Sequence, residues 1–352
     1  MNIHDMLQLL IDRSGSDLHI LVGSPPILRI DGALIPIDGA PLLKKEHAEL
    51  LIFPLMNQEQ KDYVTVNKEI DFGYQFKDVG RFRINVYYQQ GFYSAALRLI
   101  PTKIRSIEEL QLPDAFHQFT KYNQGLVLLT GPTGEGKSTT LAAMVQEINL
   151  TRAEHILTIE DPIEFIYTPQ KSIISQRELH QDTHSWEIAL RSALREDPDV
   201  VLLGEMRDYE TIAAAVTVAE TGHLVLTTLH TNSAAQTVDR IIDVFPEHQQ
   251  SQIRQQLSVT LQAVVSQRLV PLVGGGRVAA TEIMICTPAI RNLIREGKTY
   301  QIDNVIQTSS ESGMMLLEAS LLQWVQRGAL TLERAREYAI RPDEFDRLSG
   351  AK

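Results

Sequence analysis

The rhythm of apolar positions changes near residue 100. In RFRINVYY (81–88) it is strictly alternating: Phe82, Ile84, Val86 and Tyr88 fall on one face of a predicted strand and Arg81, Arg83 and Asn85 on the other. A short amphipathic N-terminal helix leads to SDLHILV, then a Pro-Pro break and ILRIDGALIPI, whose Asp31-Gly32 pair signals a hairpin. Residues 1–100 therefore read as a small α+β unit. In the segment PTKIRSIEELQLP, Pro101 and Pro113 bracket a predicted short helix, with Ser106 and Glu109 spaced as a capping box. After it, apolar runs alternate with long helical segments, the pattern of a parallel sheet covered on both faces. The expected class is α/β, divided into 1–100, a linker over 101–121 and a second domain over 122–352.

Four runs define that second domain: LVLLT (126–130), ILTIE (156–160), VVLLGE (200–205) and LVLTTLH (224–230). Each is apolar until its carboxyl end. Open parallel sheets bind ligands outside those ends, so the polar tips should converge. The tips are the loop GPTGEGKSTT (131–140), Glu160-Asp161 with Glu164, Gly204-Glu205, and Thr228 with His230.

The loop meets the spacing G-x-x-x-x-G-K-[ST] at Gly131, Gly136, Lys137 and Ser138. Its glycines let backbone N–H groups turn onto phosphate, the lysine bridges the β- and γ-phosphates of ATP, and the serine hydroxyl ligates Mg²⁺. Thr133, Gly134, Glu135 and Thr139 complete the expected nucleotide contacts. A strand before the loop and a helix after it supply the order this chemistry demands. The cradle is mostly backbone, so the Glu135 carboxylate is expected to point outward, screened by solvent.

Glu205 ends an apolar strand, where a Mg²⁺-organising acid belongs, and Glu164 follows the neighbouring strand, where a carboxylate orients and deprotonates water. His223 and His230 flank LVLTTL and are expected to reach the γ-phosphate side as neutral donors or sensors; a hydrogen-bonded histidine in the core is the alternative for either. His180 and His184 lack a third ligand and read as surface residues. Arg191 lies one turn after Glu187, which an ordinary helix pair explains as well as a phosphate role does. Arg81 and Arg83 read by themselves as solvated charge. TPAIRNLIREGK (287–298) is a short helix with Thr287 as cap, Pro288 in the first turn, Ile290, Leu293 and Ile294 as its buried stripe, and Gly297 as its stop; Arg291, Asn292, Arg295 and Glu296 are left on the outer face.

The chain has 352 residues, 43% of them hydrophobic and 22% charged, with a formal charge of −11. That acidity argues against a broad nucleic-acid or anionic-membrane surface. One cysteine excludes an internal disulfide and any multi-cysteine zinc site. No apolar stretch reaches the ~18 residues of a membrane span, and MNIHDMLQLLIDRSG lacks the pattern of a signal peptide, so the expected location is the cytoplasm.

Together GPTGEGKSTT, ILTIEDPIEFIY, SALREDPDVVLLGEMRD, ETGHLVLTTLHT and AIRNLIRE resemble the PilT-type retraction ATPases of type IV pili, within the wider secretion ATPase superfamily. The resemblance runs from near residue 17 to beyond 320. It implies an N-terminal PAS-like domain, a C-terminal RecA-like P-loop domain with a helical C-terminal region, and a homo-hexameric ring binding ATP between the two. It also implies water activation by Glu164 in an Asp box, a Walker B motif over Asp199 to Glu205, a His box from His223 to His230, and phosphate contacts from Arg81 and Arg83. The implied work is pilus retraction and twitching motility at the inner face of the cytoplasmic membrane, which the ring meets only through a platform protein of the pilus machinery. Extension and secretion relatives usually carry an extra N-terminal region and a four-cysteine zinc site, and this sequence provides neither. AIRNLIRE marks the retraction branch. The departure is Glu135, where the family has a small residue, usually serine. The alternatives are an extension or secretion ATPase and a nucleotide-bound regulatory ring without turnover.

Overall fold

The computed structural model describes residues 1–350 except Asp31, Asp78, Pro101 and Thr102. Two compact units emerge, one of residues 1–103 with 162–166, the other of 104–161 with 167 onward.

In the first unit, Asn2 and Asp5 close a capping box that starts helix α1 (Ile3–Asp12), whose Ile3, Met6, Leu7 and Leu10 form the buried stripe. The sheet is antiparallel, in the order β3-β2-β1-β6-β5-β4, formed by β1 (Asp17–Ile20), β2 (Ile27–Ile30), β3 (Ala33–Pro36), β4 (Glu69–Phe76), β5 (Gly80–Gln89) and β6 (Phe92–Ile100). Helices α2 (Lys45–Ile52) and α3 (Gln58–Asn67) lie in sequence between β3 and β4. Strand β5 follows its sequence pattern: Phe82, Ile84 and Val86 are fully buried, while Arg81, Arg83 and Asn85 face the other way. Tyr88, on the same side as Phe82, has left the core and stacks edge-on with Tyr93 beneath Lys68. The β2–β3 hairpin turns with Ile30 opposite Ala33. Asp31 of the expected turn and Pro101 of the expected linker lie outside the described residues.

In the second unit Ser106 and Glu109 do exchange capping bonds, at 3.0 and 3.2 Å, but they close a single turn rather than a helix. The first helix is α4 (Ala115–Phe119). The sheet that follows contains β7 (Gly125–Thr130), β8 (His155–Glu160), β9 (Ile173–Glu178), β10 (Val200–Leu203), β11 (Leu224–Leu229), β12 (Leu261–Pro271) and β13 (Arg277–Ile285), ordered β13-β12-β7-β11-β10-β8-β9. The four runs picked out in the sequence are its central, mutually parallel strands β7, β11, β10 and β8. Only β13 runs antiparallel. Helices α5 (Lys137–Thr151), α6 (Trp186–Ala193), α7 (Tyr209–Glu220), α8 (Ala234–Asp243) and α9 (Glu247–Thr260) account for the burial of both faces of the sheet, which is why these strands read as continuous apolar runs.

Beyond the sheet lie α10 (Pro288–Glu296), α11 (Ile302–Thr308), α12 (Leu317–Gln326), α13 (Leu332–Tyr338) and α14 (Pro342–Ser349). The last three share a small core with β12 and β13, built on Leu317, Leu321, Trp324, Ala335 and Phe345. The class is thus the expected one: an α+β N-terminal unit, a parallel-sheet α/β unit and a helical C-terminal region. Helix α10 also starts and stops as its sequence predicts, with Gly297 in the left-handed region at φ 70°. One expectation fails there. Arg291 is half-buried: its Nη1 donates to the carbonyls of Ser258 and Val259 at 2.8 Å each and its Nη2 to Gln262 Oε1 at 2.9 Å. A guanidinium next to buried Ile290 and one turn before buried Ile294 is within reach of the orphan carbonyls ending α9, and it takes them. Arg295 is exposed, as expected.

Candidate active site

The phosphate-type loop begins where β7 ends. Gly131 leaves the strand at φ 140°, and a Cβ there would lie 2.5 Å from the carbonyl oxygen of Gln267, so no other residue fits this exit. Gly134 and Gly136 also adopt positive φ, and α5 starts at Lys137. The first N–H groups of α5, including those of Ser138 and Thr139, have no carbonyl one turn back and form an anion-binding end. Lys137 is 7% exposed, and its Nζ donates to the carbonyls of Gly131 and Pro132 at 2.8 Å each. A buried ammonium hydrogen-bonded to backbone carbonyls, which a stronger anionic acceptor can replace, suits a polyphosphate.

Strand β12 flanks the loop because it is longer than its partner. Thr130, the last residue of β7, pairs with Ser266, and β12 runs on to Pro271. Gln267, Arg268 and Leu269 overhang. Gln267 Nε2 donates to the Glu135 carbonyl at 2.6 Å, and Gln267 Oε1 accepts from Thr140 Oγ1 at 2.9 Å. The Leu269 N–H donates to the Glu135 carboxylate, whose other oxygen lies 3.7 Å from Arg268 Nη1. This corrects the expectation of a solvent-screened side chain: Glu135 folds onto β12 with 18% of its side chain exposed. Strand edges beyond a ladder carry spare N–H groups, and a carboxylate nearby is drawn to them.

The neighbouring tips meet as the sheet topology requires. Thr228 Oγ1 on β11 donates to the Gly204 carbonyl at 2.8 Å, and Met206 N–H donates to the Thr228 carbonyl at 3.0 Å, fixing the backbone on either side of Glu205. The Glu205 carboxylate is 16% exposed; one oxygen pairs with Arg207 and the other lies 3.1 Å from His230 Nε2. With both oxygens engaged, Glu205 suits a water-mediated hold on a cation better than direct ligation.

His223 is elsewhere. It precedes β11, and its Nδ1 lies 3.1 Å from the Val218 carbonyl and 3.1 Å from Thr221 Oγ1, closing the end of α7. The six residues of β11 span roughly 20 Å, so His223 sits at the opposite end of the sheet from the loop and takes no part in the site. The carboxyl-end rule applied to the four runs already separates the two histidines, since His223 precedes its run and His230 follows it. Glu164 belongs to residues 162–166, which group with the N-terminal unit. In that unit Arg83 clasps Asp71 with both arms, at 2.8 and 3.2 Å, and Arg81 lies two residues before it on β5. Arg191 forms the ordinary pair with Glu187 at 2.7 Å. Gln267 and Arg268 escaped the sequence reading, although LQAVVSQRLVP offers the same signal as the other four runs, an apolar run broken by polar residues near its carboxyl end.

A family model for type II/IV secretion system proteins matches residues 93–337. The chain belongs to that family. Two relatives are similar to it over most of their length. A Pseudomonas aeruginosa protein named type IV pilus retractation ATPase PilT is 49% identical over 346 residues, covering 98% of this chain and 100% of its own. A twitching motility protein of Neisseria gonorrhoeae is 50% identical over 315 residues, covering 89% and 84%. Among solved structures, the pilus retraction motor PilT with bound ADP superposes with a TM-score of 0.92 at 45% identity over 99% of both chains. The Legionella pneumophila ATPase DotB follows at 0.86 and 28%, covering 100% of this chain and 97% of its own. No helix among the described residues of this secretion-family chain is long and apolar enough to cross a membrane.

Proposed function

We propose that this chain is an ATP hydrolase working as a homo-hexameric motor that retracts type IV pili and so drives twitching motility. The observation that carries the reading is the buried Lys137 ammonium inside a glycine loop at the carboxyl end of β7, with the Glu205 carboxylate just past the carboxyl end of β10, two strands away on the same edge of the sheet. Likeness over the whole chain to proteins named for pilus retraction supports the biological assignment.

In this reading Lys137 exchanges its two loop carbonyls for β- and γ-phosphate oxygens, and the N-terminal amides of α5 hold the rest of the phosphate charge. The Ser138 hydroxyl, with Glu205 acting through water, would hold Mg²⁺, which when bound draws negative charge off the phosphate oxygens. Glu164 orients the attacking water and takes its proton as the water oxygen bonds to the γ-phosphorus. The bond from that phosphorus to the bridging oxygen breaks, leaving ADP and phosphate. His230 reports the state of Glu205 to the loop that precedes α8. Arg81 and Arg83 contribute phosphate contacts, Arg83 only by leaving Asp71. The ring works at the cytoplasmic face of the membrane on a platform protein of the pilus machine, with no nucleic-acid partner.

Steady-state phosphate release from the purified protein tests this. Turnover should depend on ATP and Mg²⁺ and vanish in Lys137→Ala, since the lysine supplies the positive charge between the two phosphates. A Lys137→Ala protein retaining half of the wild-type rate would refute the assignment, and a folded wild type that binds ATP without turning it over would favour a regulatory ring.

A further inference from the structure

Between the phosphate loop and the His230 segment lies one side chain that touches both. Arg268 stands on the overhanging end of β12, with its side chain 17% exposed. Its Nη1 faces the Glu135 carboxylate at 3.7 Å, and its Nη2 donates to Asn232 Oδ1 at 2.9 Å. Asn232 follows His230 by two residues. The same short segment is pinned from the far side: Asn232 N–H donates to Gln236 Oε1 at 2.8 Å, Thr231 Oγ1 lies 2.7 Å from Thr237 Oγ1, and Ala234 N–H, at the start of α8, donates to the buried Glu282 at 2.8 Å. On the loop side, Glu135 is held by the Leu269 N–H and by Gln267.

We infer that Arg268 is a positioning residue that fixes the distance between the phosphate loop and the His230–Glu205 pair, with Glu135 as its anchor on one side and Asn232 on the other. This rests on the ATPase reading above. A guanidinium suits the task because its planar fork holds two acceptors at a set spacing, which an ammonium does not. The arrangement gives the carboxylate at Glu135 a purpose: it is the charge that keeps Arg268 turned toward the loop. Because Arg268 acts through His230 and Glu205, it matters more to the rate of bond cleavage than to nucleotide affinity.

The test measures phosphate release, ADP affinity by titration calorimetry and the melting midpoint for wild type, Arg268→Ala, Asn232→Ala, the double variant and Arg268→Lys. Expected are a fall in kcat of about tenfold in each single alanine variant, with ADP affinity within about threefold of wild type, and no further fall in the double variant, as interacting partners require. Lysine at 268 should recover less than half of the lost rate. Asn232 is exposed, so its variant folds whatever becomes of Arg268→Ala. Alanine variants that keep kcat within twofold of wild type would overturn the inference, as would losses that multiply in the double variant or a fall in kcat matched by an equal fall in affinity and melting. Lys137-dependent release from wild type, measured alongside, separates the two readings. Its absence sinks the ATPase assignment and this inference with it, while its presence beside an unimpaired Arg268→Ala sinks this inference alone.

Discussion

Replacing Arg291 by alanine should damage the ATPase unit far more than replacing Arg295, although both lie on one short helix. Arg291 makes three charge-assisted hydrogen bonds, to the Ser258 and Val259 carbonyls and to Gln262 Oε1. Such bonds are worth about 1.5–3 kcal/mol each, and a cation at a helix C-terminus adds about 0.3–1 kcal/mol. The Val259 carbonyl is at the surface and will be rehydrated, and the three bonds share one guanidinium, so the sum is not additive; about 3 kcal/mol is the expected loss. For a unit of this size about 2–4 °C accompanies each kcal/mol, giving a drop of about 6–12 °C in melting midpoint. Arg295 is exposed and, among the described residues, bonds only Asn292, so Arg295→Ala should lie within about 0.5 kcal/mol of wild type. Scanning calorimetry of both variants, with phosphate release measured well below the transition, makes the comparison. Equal melting of the two would refute the structural role of Arg291.

Glu164→Gln should retain ATP binding while phosphate release falls by at least about a hundredfold, the lower range for losing a general base; calorimetric titration with a nonhydrolysable analogue separates this from loss of binding. Glu135→Ser should destabilise the protein by about 1–2 kcal/mol by freeing the Leu269 N–H and the Arg268 charge, and a denaturant series in which the serine variant is the more stable would contradict that. Burial opposes ionisation of Asp17, but the Ser16 hydroxyl at 2.7 Å and the Arg98 guanidinium at 2.9 Å outweigh it and hold its carboxyl below the usual value. A lowered folded-state value means that Asp17 stabilises the native state above its unfolded value and that this contribution is lost as pH falls through the lowered one. The stability gap between wild type and Asp17→Asn in urea should therefore narrow from pH 6 to about pH 3; a constant gap would argue against it.

How much of this was legible beforehand differs between sheet and site. The central strands were readable because a parallel sheet buried on both faces must be apolar throughout, and LVLLT, ILTIE, VVLLGE and LVLTTLH leave no other reading. The alternation of Arg81 to Tyr88 placed the arginine face correctly for a different reason, the period of two that a strand with only one buried face displays. His223 was misplaced because it was read with His230 as one flanking pair, although it lies at the amino end of its run, away from the carboxyl-end tips. Arg291 was misread because a helix wheel assigns it to the outer face, whereas the end of α9 reaches across to meet it. Arg268 was passed over because its importance comes from register: only the pairing of Ser266 with Thr130 reveals that the next three residues stand beside the loop.

That register also explains why a phosphate loop tolerates a carboxylate. An acidic side chain near bound phosphate would be repelled if it faced the ligand, and a solvent-exposed one would gain nothing from the loop. Glu135 does neither, since the overhang of β12 offers it a backbone N–H and a guanidinium. The same strand begins at Leu261, two residues after the Val259 carbonyl that Arg291 holds, and Gln262 within it accepts from that arginine. From Leu261 to Arg268 the strand covers roughly 23 Å. One end of β12 is therefore fastened to the helix of AIRNLIRE and the other to the phosphate loop, by side chains rather than by the sheet alone. Protein interiors are close-packed and of low compressibility, so a shift at one clamp is expected to be felt at the other. Helix α10 lies outside the phosphate site, yet it is two side-chain contacts and one strand away from Glu135. Arg291→Ala is therefore expected to lower phosphate release even well below its melting transition while Arg295→Ala leaves it unchanged, and equal rates in the two variants would refute the coupling.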